Sequence, residues 1–149
     1  MAGFEKLFGF VAALCCGLFA GAALYLNLVE HPARMECGTE LAATEFPPSY
    51  RRATVLQVSL ALIGALCGTL AWLRDGSLGW LIAAGLLLSV IPFTLIFILP
   101  TNDQLLDASL DRRSEKAHLL LTRWNRLHAV RTIVSLAALV LFLMLLAKH

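Results

Sequence analysis

Three short runs hold the side chains able to do chemistry: Asn27, Glu30, His31 and Arg34; Thr101, Asn102 and Asp103 after Pro100; and Trp124, Asn125, His128 and Arg131. Imidazoles, a carboxylate, carboxamides, guanidinium and an indole are the ingredients of a proton-transfer site beside a flat apolar pocket. Imidazole moves protons near neutral pH, and burial tunes it further. Each run adjoins one end of a long apolar stretch. If those stretches cross a bilayer in alternating directions, all three runs reach the same face. An ionisable residue held in a membrane is costly to desolvate, so it marks a functional site by default.

Spacing supports the grouping. Asn27 lies three residues before Glu30 and four before His31, so on a helix it shares a face with both. Trp124, His128 and Arg131 are spaced by four and then three, again one face, with Asn125 three before His128. Each run also has a plainer use. Glu30, His31 and Arg34 fit an interfacial salt-bridged cap before Pro32. Thr101 to Gln104 fits a capping box after a Pro100 that stops the preceding helix, although capping does not require Asn102. Trp124 fits an interfacial belt and Arg131 a snorkelling anchor. The coincidence of the three favours the site. His118 and His149 fall outside it and are expected to be solvated.

The elements that position these residues follow from composition. The 149 residues are 59% hydrophobic and 15% charged, with mean hydropathy +0.78, against about half apolar and a quarter charged in soluble domains. The expected fold is all-α: one membrane domain over 1–149, a four-helix bundle with no room for a soluble domain. A net charge of +2, with basic and acidic residues interleaved, excludes a nucleic-acid-binding stripe. Spans are expected at about 7–29, 53–73, 78–99 and 126–147, the last needing to start a turn or two earlier to cross a ~30 Å core. The first stretch is too long and smooth for a cleaved signal peptide.

The connections differ. Arg74-Asp75-Gly76-Ser77 reads as a tight turn. In the first long connection Pro32, Pro47 and Pro48 resist a continuous helix, leaving a short interfacial one at about 33–45. Asp103 to Arg123 reads as a second interfacial helix, apolar at Leu106, Leu110, Ala117 and Leu120. Both long connections are arginine-rich, which by the positive-inside rule places them in the cytoplasm and both termini outside. Small residues recur at Gly9, Ala13, Gly17 and Gly21 and at Gly64 and Gly68, for close packing within one bundle or for a homo-oligomer through Gly17/Gly21 or Gly64/Gly68. Cys15, Cys16, Cys37 and Cys67 form no C-x-x-C pair and read as small apolar fillers.

The runs N-x-x-E-H-P at Asn27 to Pro32, P-T-N-D-x-L at Pro100 to Leu105 and W-N-x-x-H-x-x-R at Trp124 to Arg131 resemble the anthrone-oxygenase-like family (DUF1772) of small four-helix membrane proteins. The resemblance implies an oxygenase that oxidises tricyclic anthrones to anthraquinones with O2 and without a recognised organic cofactor. On that implication His128 or His31 removes a proton from the acidic methylene, and Asn102 and Arg131 stabilise the oxyanion. Glu30 orients His31 or relays its proton, and Trp124 stacks on the ring system. Asn27 and Asn125 hold hydroxyl groups, and Arg34 joins the substrate-binding set. The expected partners are membrane lipid, a hydrophobic small molecule and O2.

Three alternatives stand beside it. A metal would use His31, His128 and Glu30, or a haem the two histidines, though from separate helices and without a local ligand motif. A transporter would use Gln57 and a helix bent at Pro92, but only Thr69, Ser89 and Thr94 continue the polar path. An assembly partner would work through its small-residue stripes.

Overall fold

The computed structural model describes residues 2–148, with side chains from Lys6 onward; His149 lies outside the described residues. Among the described residues four helices are long and apolar enough to cross a membrane. We number them α1 (Ala2–Tyr25, continuing through a π segment Leu26–Glu30 into His31–Glu36), α2 (Thr39–Asp75), α3 (Leu78–Phe93, a π segment Thr94–Ile98, then Leu99–Leu106) and α4 (Glu115–Leu146). They pack as a square: α1 and α3 each lie along α2 and α4, and the diagonal pairs hardly touch. The expected all-α bundle of four apolar helices is the fold observed. Its outer surface carries side chains such as Val55, Leu28 and Ile133, each more than two-thirds exposed, as a lipid-facing surface requires.

Alternating directions bring the C-terminal ends of α1 and α3 beside the N-terminal ends of α2 and α4. The opposite end is plain. There α2 ends at Gly76, whose φ of +75° is the left-handed cap that glycine favours, and Gly76 N–H donates to Trp72 O at 2.7 Å. The turn expected at Arg74 to Ser77 is therefore present.

The elaborate end departs from expectation in three places, each time because a helix survives or stops for a reason other than proline. First, α1 runs past Pro32 and the chain reverses at Cys37-Gly38, where Gly38 takes φ +104°. No separate interfacial helix forms over 33–45, and α2 is continuous through Pro47 and Pro48. Proline removes one N–H and crowds the carbonyl four residues back, but tertiary contacts hold this turn: Phe46 packs edge-on to Trp124 at 5.5 Å, and Glu45 and Ser49 bind Arg34. Second, Pro100 does not stop α3. The π segment before it, closed by Leu99 N–H to Thr94 O, widens the turn. Thr101 is thus fully buried inside the helix and not a cap, and Gln104 Nε2 donates to Pro100 O at 3.0 Å. The π segment of α1 stands in the same relation to Pro32.

Third, the expected surface helix over 103–123 is interrupted at 107–114. Asp107 accepts from Ser109 N–H and Ser109 Oγ, both at 2.8 Å, and Asp111 accepts from Arg113 N–H at 2.9 Å. Such local bonds compete with the helix ladder, and those from Ser109 hold the Asp107 carboxyl below its ordinary pKa. α4 then starts early, at Glu115, with Ser114 as N-cap accepting from Ala117 N–H at 3.2 Å. One rigid helix consequently carries Trp124, Asn125, His128 and Arg131.

The small residues on α2 face inward. A Cβ on Gly64 would lie 3.2 Å from Cys15 Cβ, and one on Gly68 would lie 3.0 Å from the Phe142 ring and 3.1 Å from Ala84 Cβ, whereas Gly21 has nothing within 4 Å. Gly68→Leu is expected to destabilise the bundle by about 1–3 kcal/mol through overpacking. Gly21→Leu is expected to be neutral. Denaturant unfolding of both variants in micelles checks the contrast.

Candidate functional site

The π segment of α1 turns Asn27 inward, where it is buried. Its Nδ2 donates to Asn125 O at 3.1 Å and to Asn125 Oδ1 at 2.7 Å. Because a backbone carbonyl only accepts, this fixes which end of the Asn27 carboxamide is which. Asn27 Oδ1 then accepts from Thr132 Oγ1 and from His128 Nδ1, the latter at 2.9 Å. His128 must therefore carry its proton on Nδ1, leaving the Nε2 lone pair on the edge of the ring turned away from Asn27. No protein group among the described residues bonds Nε2.

His128 lines a cavity of about 130 Å³ that reaches all four helices, with Phe19 and Arg34 from α1, Tyr50 and Gln57 from α2, and Asn102 from α3. Two further groups in its wall have unmet valence. Asn102 is 1% exposed and its Oδ1 has no partner. Arg131 donates from Nη2 to Gln57 Oε1 at 2.6 Å and stands 5.5 Å from the Phe19 ring centroid, while its Nε has no partner. Among the described residues no carboxylate pairs with it. An uncompensated guanidinium in an apolar wall favours an anion in the cavity, because Coulomb energies grow as the dielectric falls.

The indole of Trp124 joins the two imidazoles. Its ring centroid is 4.7 Å from that of His128, nearly stacked, and 5.3 Å from that of His31, tilted by 38°. The two histidines thus share one neighbour, but only His128 lines the cavity. His31 is buried behind Trp124. Glu30 turns to Arg34, which also donates from Nη2 to Ser49 Oγ at 3.0 Å and places Nε 3.1 Å from Glu45. Arg34 therefore ties α1 to α2 and puts its edge in the cavity wall.

The structure brings His128, Asn102, Arg131, Trp124 and Arg34 to one cavity, while Asn27 contacts His128, Asn125 contacts Asn27, Glu30 contacts Arg34 and His31 contacts Trp124 without lining it. Asn27 and Asn125 were expected to face substrate hydroxyls; their amides instead bind each other and His128. The set His31, His128 and Glu30 does not converge. Among the described residues no three His, Cys, Asp or Glu side chains are grouped to hold a metal ion, so that three-ligand set does not form. The transporter path is not continued either: Thr69, Ser89 and Thr94 each bond the carbonyl of their own helix. Sequence reasoning missed Thr132 and Tyr50. Thr132 sits four residues after His128, a signal available from spacing; Tyr50 enters only because α2 continues through the two prolines.

The sequence profile of the anthrone oxygenase family matches residues 46–141, well over half of the chain. The chain belongs to the anthrone oxygenase family. A curated anthrone oxygenase from Claviceps purpurea (strain 20.1) is 26% identical over 146 aligned residues, covering 88% of this chain and 84% of the relative. No solved structure matches. The profile match takes in the family-like runs at Pro100 to Leu105 and Trp124 to Arg131, and with them three residues of the cavity wall, Asn102, His128 and Arg131.

Proposed function

We propose that the protein oxidises an anthrone-like aromatic substrate with O2, using His128 as general base. The observation that carries this reading is the His128 tautomer. Nδ1–H is tied to Asn27, so Nε2 is a fixed acceptor at the cavity wall. Substrate and mechanism follow from chemistry that this acceptor and its neighbours support.

An anthrone methylene is acidic because its carbanion delocalises onto the carbonyl oxygen. Nε2 removes one proton, and the negative charge that develops on oxygen meets the Arg131 guanidinium and the Asn102 amide nitrogen. Donors held in a water-poor wall need no reorganisation as charge appears. The electron-rich carbanion supplies electrons to O2 and forms the C–O bond, and the imidazolium returns its proton to the peroxide. Removal of the second C–H proton with O–O cleavage then gives the ketone and water, so that CH2 and O2 become C=O and H2O. Asn27, Asn125 and Thr132 act as positioning residues through His128. Trp124 supplies a flat face for the rings, and Asn102 Oδ1 accepts from a substrate hydroxyl.

Purified protein in lipid nanodiscs is expected to consume one O2 per anthrone and to form the anthraquinone chromophore. Conversion no faster than spontaneous autoxidation overturns the reading. Asn102→Leu separates function from stability: it removes a buried unpaired acceptor, so thermal stability is expected to hold or rise. kcat/KM is expected to fall at least tenfold, because the oxyanion donor and the hydroxyl acceptor are lost together and one such bond is worth about 1.5 kcal/mol. Denaturation and steady-state kinetics on the same preparation check both.

The long connections are assigned to the cytoplasm on the arginine excess of that end. Cys37 is exposed at that end, so a membrane-impermeant maleimide should label it after lysis and not in intact cells.

A further inference from the structure

The cavity is not enclosed on all sides. Its walls from α1 and α4 include buried Phe19, Trp124 and His128, while those from α2 and α3 include Thr54, Val58 and Leu95, which are exposed on the outer surface of the bundle. The opening therefore lies between α2 and α3. Its depth can be read along the helices. Thr54 and Val58 lie two and six residues past Arg52, about 3 and 9 Å along the axis, and Leu95 lies eight residues before Asp103, about 12 Å. The opening is thus on the hydrocarbon side of the charged residues that mark the interface. Leu66, Ile82 and other apolar side chains continue the exposed surface deeper.

Size leads to the same place. A void of about 150 Å³ takes one benzene ring, so a cavity of about 130 Å³ holds one ring of a polycycle. The remaining rings have room only in the cleft between α2 and α3. The α3 side of that cleft is the π segment Thr94–Ile98, whose widened turn places Thr94 and Leu95 at the cavity.

We propose that a flat apolar substrate dissolved in the bilayer reaches His128 sideways, through a gate between α2 and α3 formed by Thr54, Val58 and Leu95. The gate also holds the rings that the cavity does not enclose. This rests on the cavity being the substrate site, as argued above. On the headgroup side the cavity wall carries Arg34, tied to Glu30, Glu45 and Ser49, so an apolar substrate meets a charged, bonded group there and apolar side chains at the α2–α3 cleft.

The test uses the full chain in lipid nanodiscs and two bilayer-soluble quenchers, anthraquinone and oxygen-free anthracene. Binding is read as the part of the fluorescence quenching that Trp124→Phe removes. In stopped flow, Thr54→Phe/Val58→Phe is expected to slow association at least tenfold, within the one to three decades over which on-rates vary among variants of one site. Leu62→Phe, equally lipid-facing but outside the cleft, is expected to leave it unchanged. Leu95→Ala opens the gate and is expected to speed association about threefold, which covers a double variant that fails to fold. Unchanged association in both gate variants, or no Trp124-dependent quenching in the wild type, overturns the gate. Gated binding of anthracene without anthrone turnover leaves the gate standing and overturns the oxygenase reading. Turnover with gate-insensitive association does the reverse.

Discussion

His128→Ala is expected to lower kcat for anthrone oxidation by about 10²–10⁴-fold, the range that a positioned general base contributes. The structural basis is that Nε2 is the acceptor presented to the cavity by a ring whose other nitrogen is bonded to Asn27. Substrate affinity should change little, since Trp124, Arg131 and the apolar walls remain. Two further readouts separate lost base from lost packing. A substrate deuterated at the methylene should show a primary isotope effect on kcat in the wild type. Added imidazole should restore part of the rate in His128→Ala, because removal of the side chain leaves space beside Trp124. His31→Ala removes a ring that packs on Trp124 but does not line the cavity, so its effect is expected to be smaller by at least tenfold. Equal losses in the two variants would show that the base assignment is wrong.

Arg131→Met is expected to be the second large loss, about 10²–10³-fold in kcat, as for removal of one preorganised donor from an oxyanion site. KM should move much less, because the interaction strengthens only as charge develops. Methionine keeps apolar contact with Phe19 and leaves Gln57 without its guanidinium partner. Stability is therefore expected to change by no more than about 1–3 kcal/mol, in either direction: an unpaired Gln57 carboxamide opposes the relief of a charge held without a carboxylate. Lysine at the same place keeps the charge but not the fork of donors that reaches Gln57 and the cavity together. Arg131→Lys should accordingly recover only part of kcat. If Arg131→Met retained wild-type kcat with a raised KM, Arg131 would be a binding group and not an oxyanion donor.

Both expectations depend on a geometry that the sequence carried only in part. Apolar length dictated four helices, since no other backbone arrangement but a closed barrel satisfies its hydrogen bonds in hydrocarbon. Their alternation dictated that the three polar runs meet at one end. Periodicity dictated that Trp124, His128 and Arg131 share a face. Those inferences use only local pattern and the bilayer as solvent, and they hold in the structure. Local pattern failed at the prolines. Pro47, Pro48 and Pro100 each signal a break, yet the helices continue, because contacts with Arg34 and Trp124 and a π turn before Pro100 offset what proline removes. It failed again at 107–114, where the apolar spacing fitted a helix but the Asp and Ser side chains bond their own backbone.

By itself, then, the sequence determined the class of fold, the family and the end of the bundle at which the polar runs gather, since hydropathy, period and motif are properties of residues in order along the chain. Only the tertiary structure decided which of the polar groups line the cavity and which are bonded or packed away from it. His31 and His128 are the same residue type in equivalent polar runs, and nothing local distinguishes them. The difference arises because Asn27, 101 residues before His128 in the chain, accepts the Nδ1–H hydrogen bond of one imidazole, while the other packs on Trp124 and does not line the cavity. Hydrogen bonds and burial across that sequence distance belong to packing, and packing is not written in any single segment.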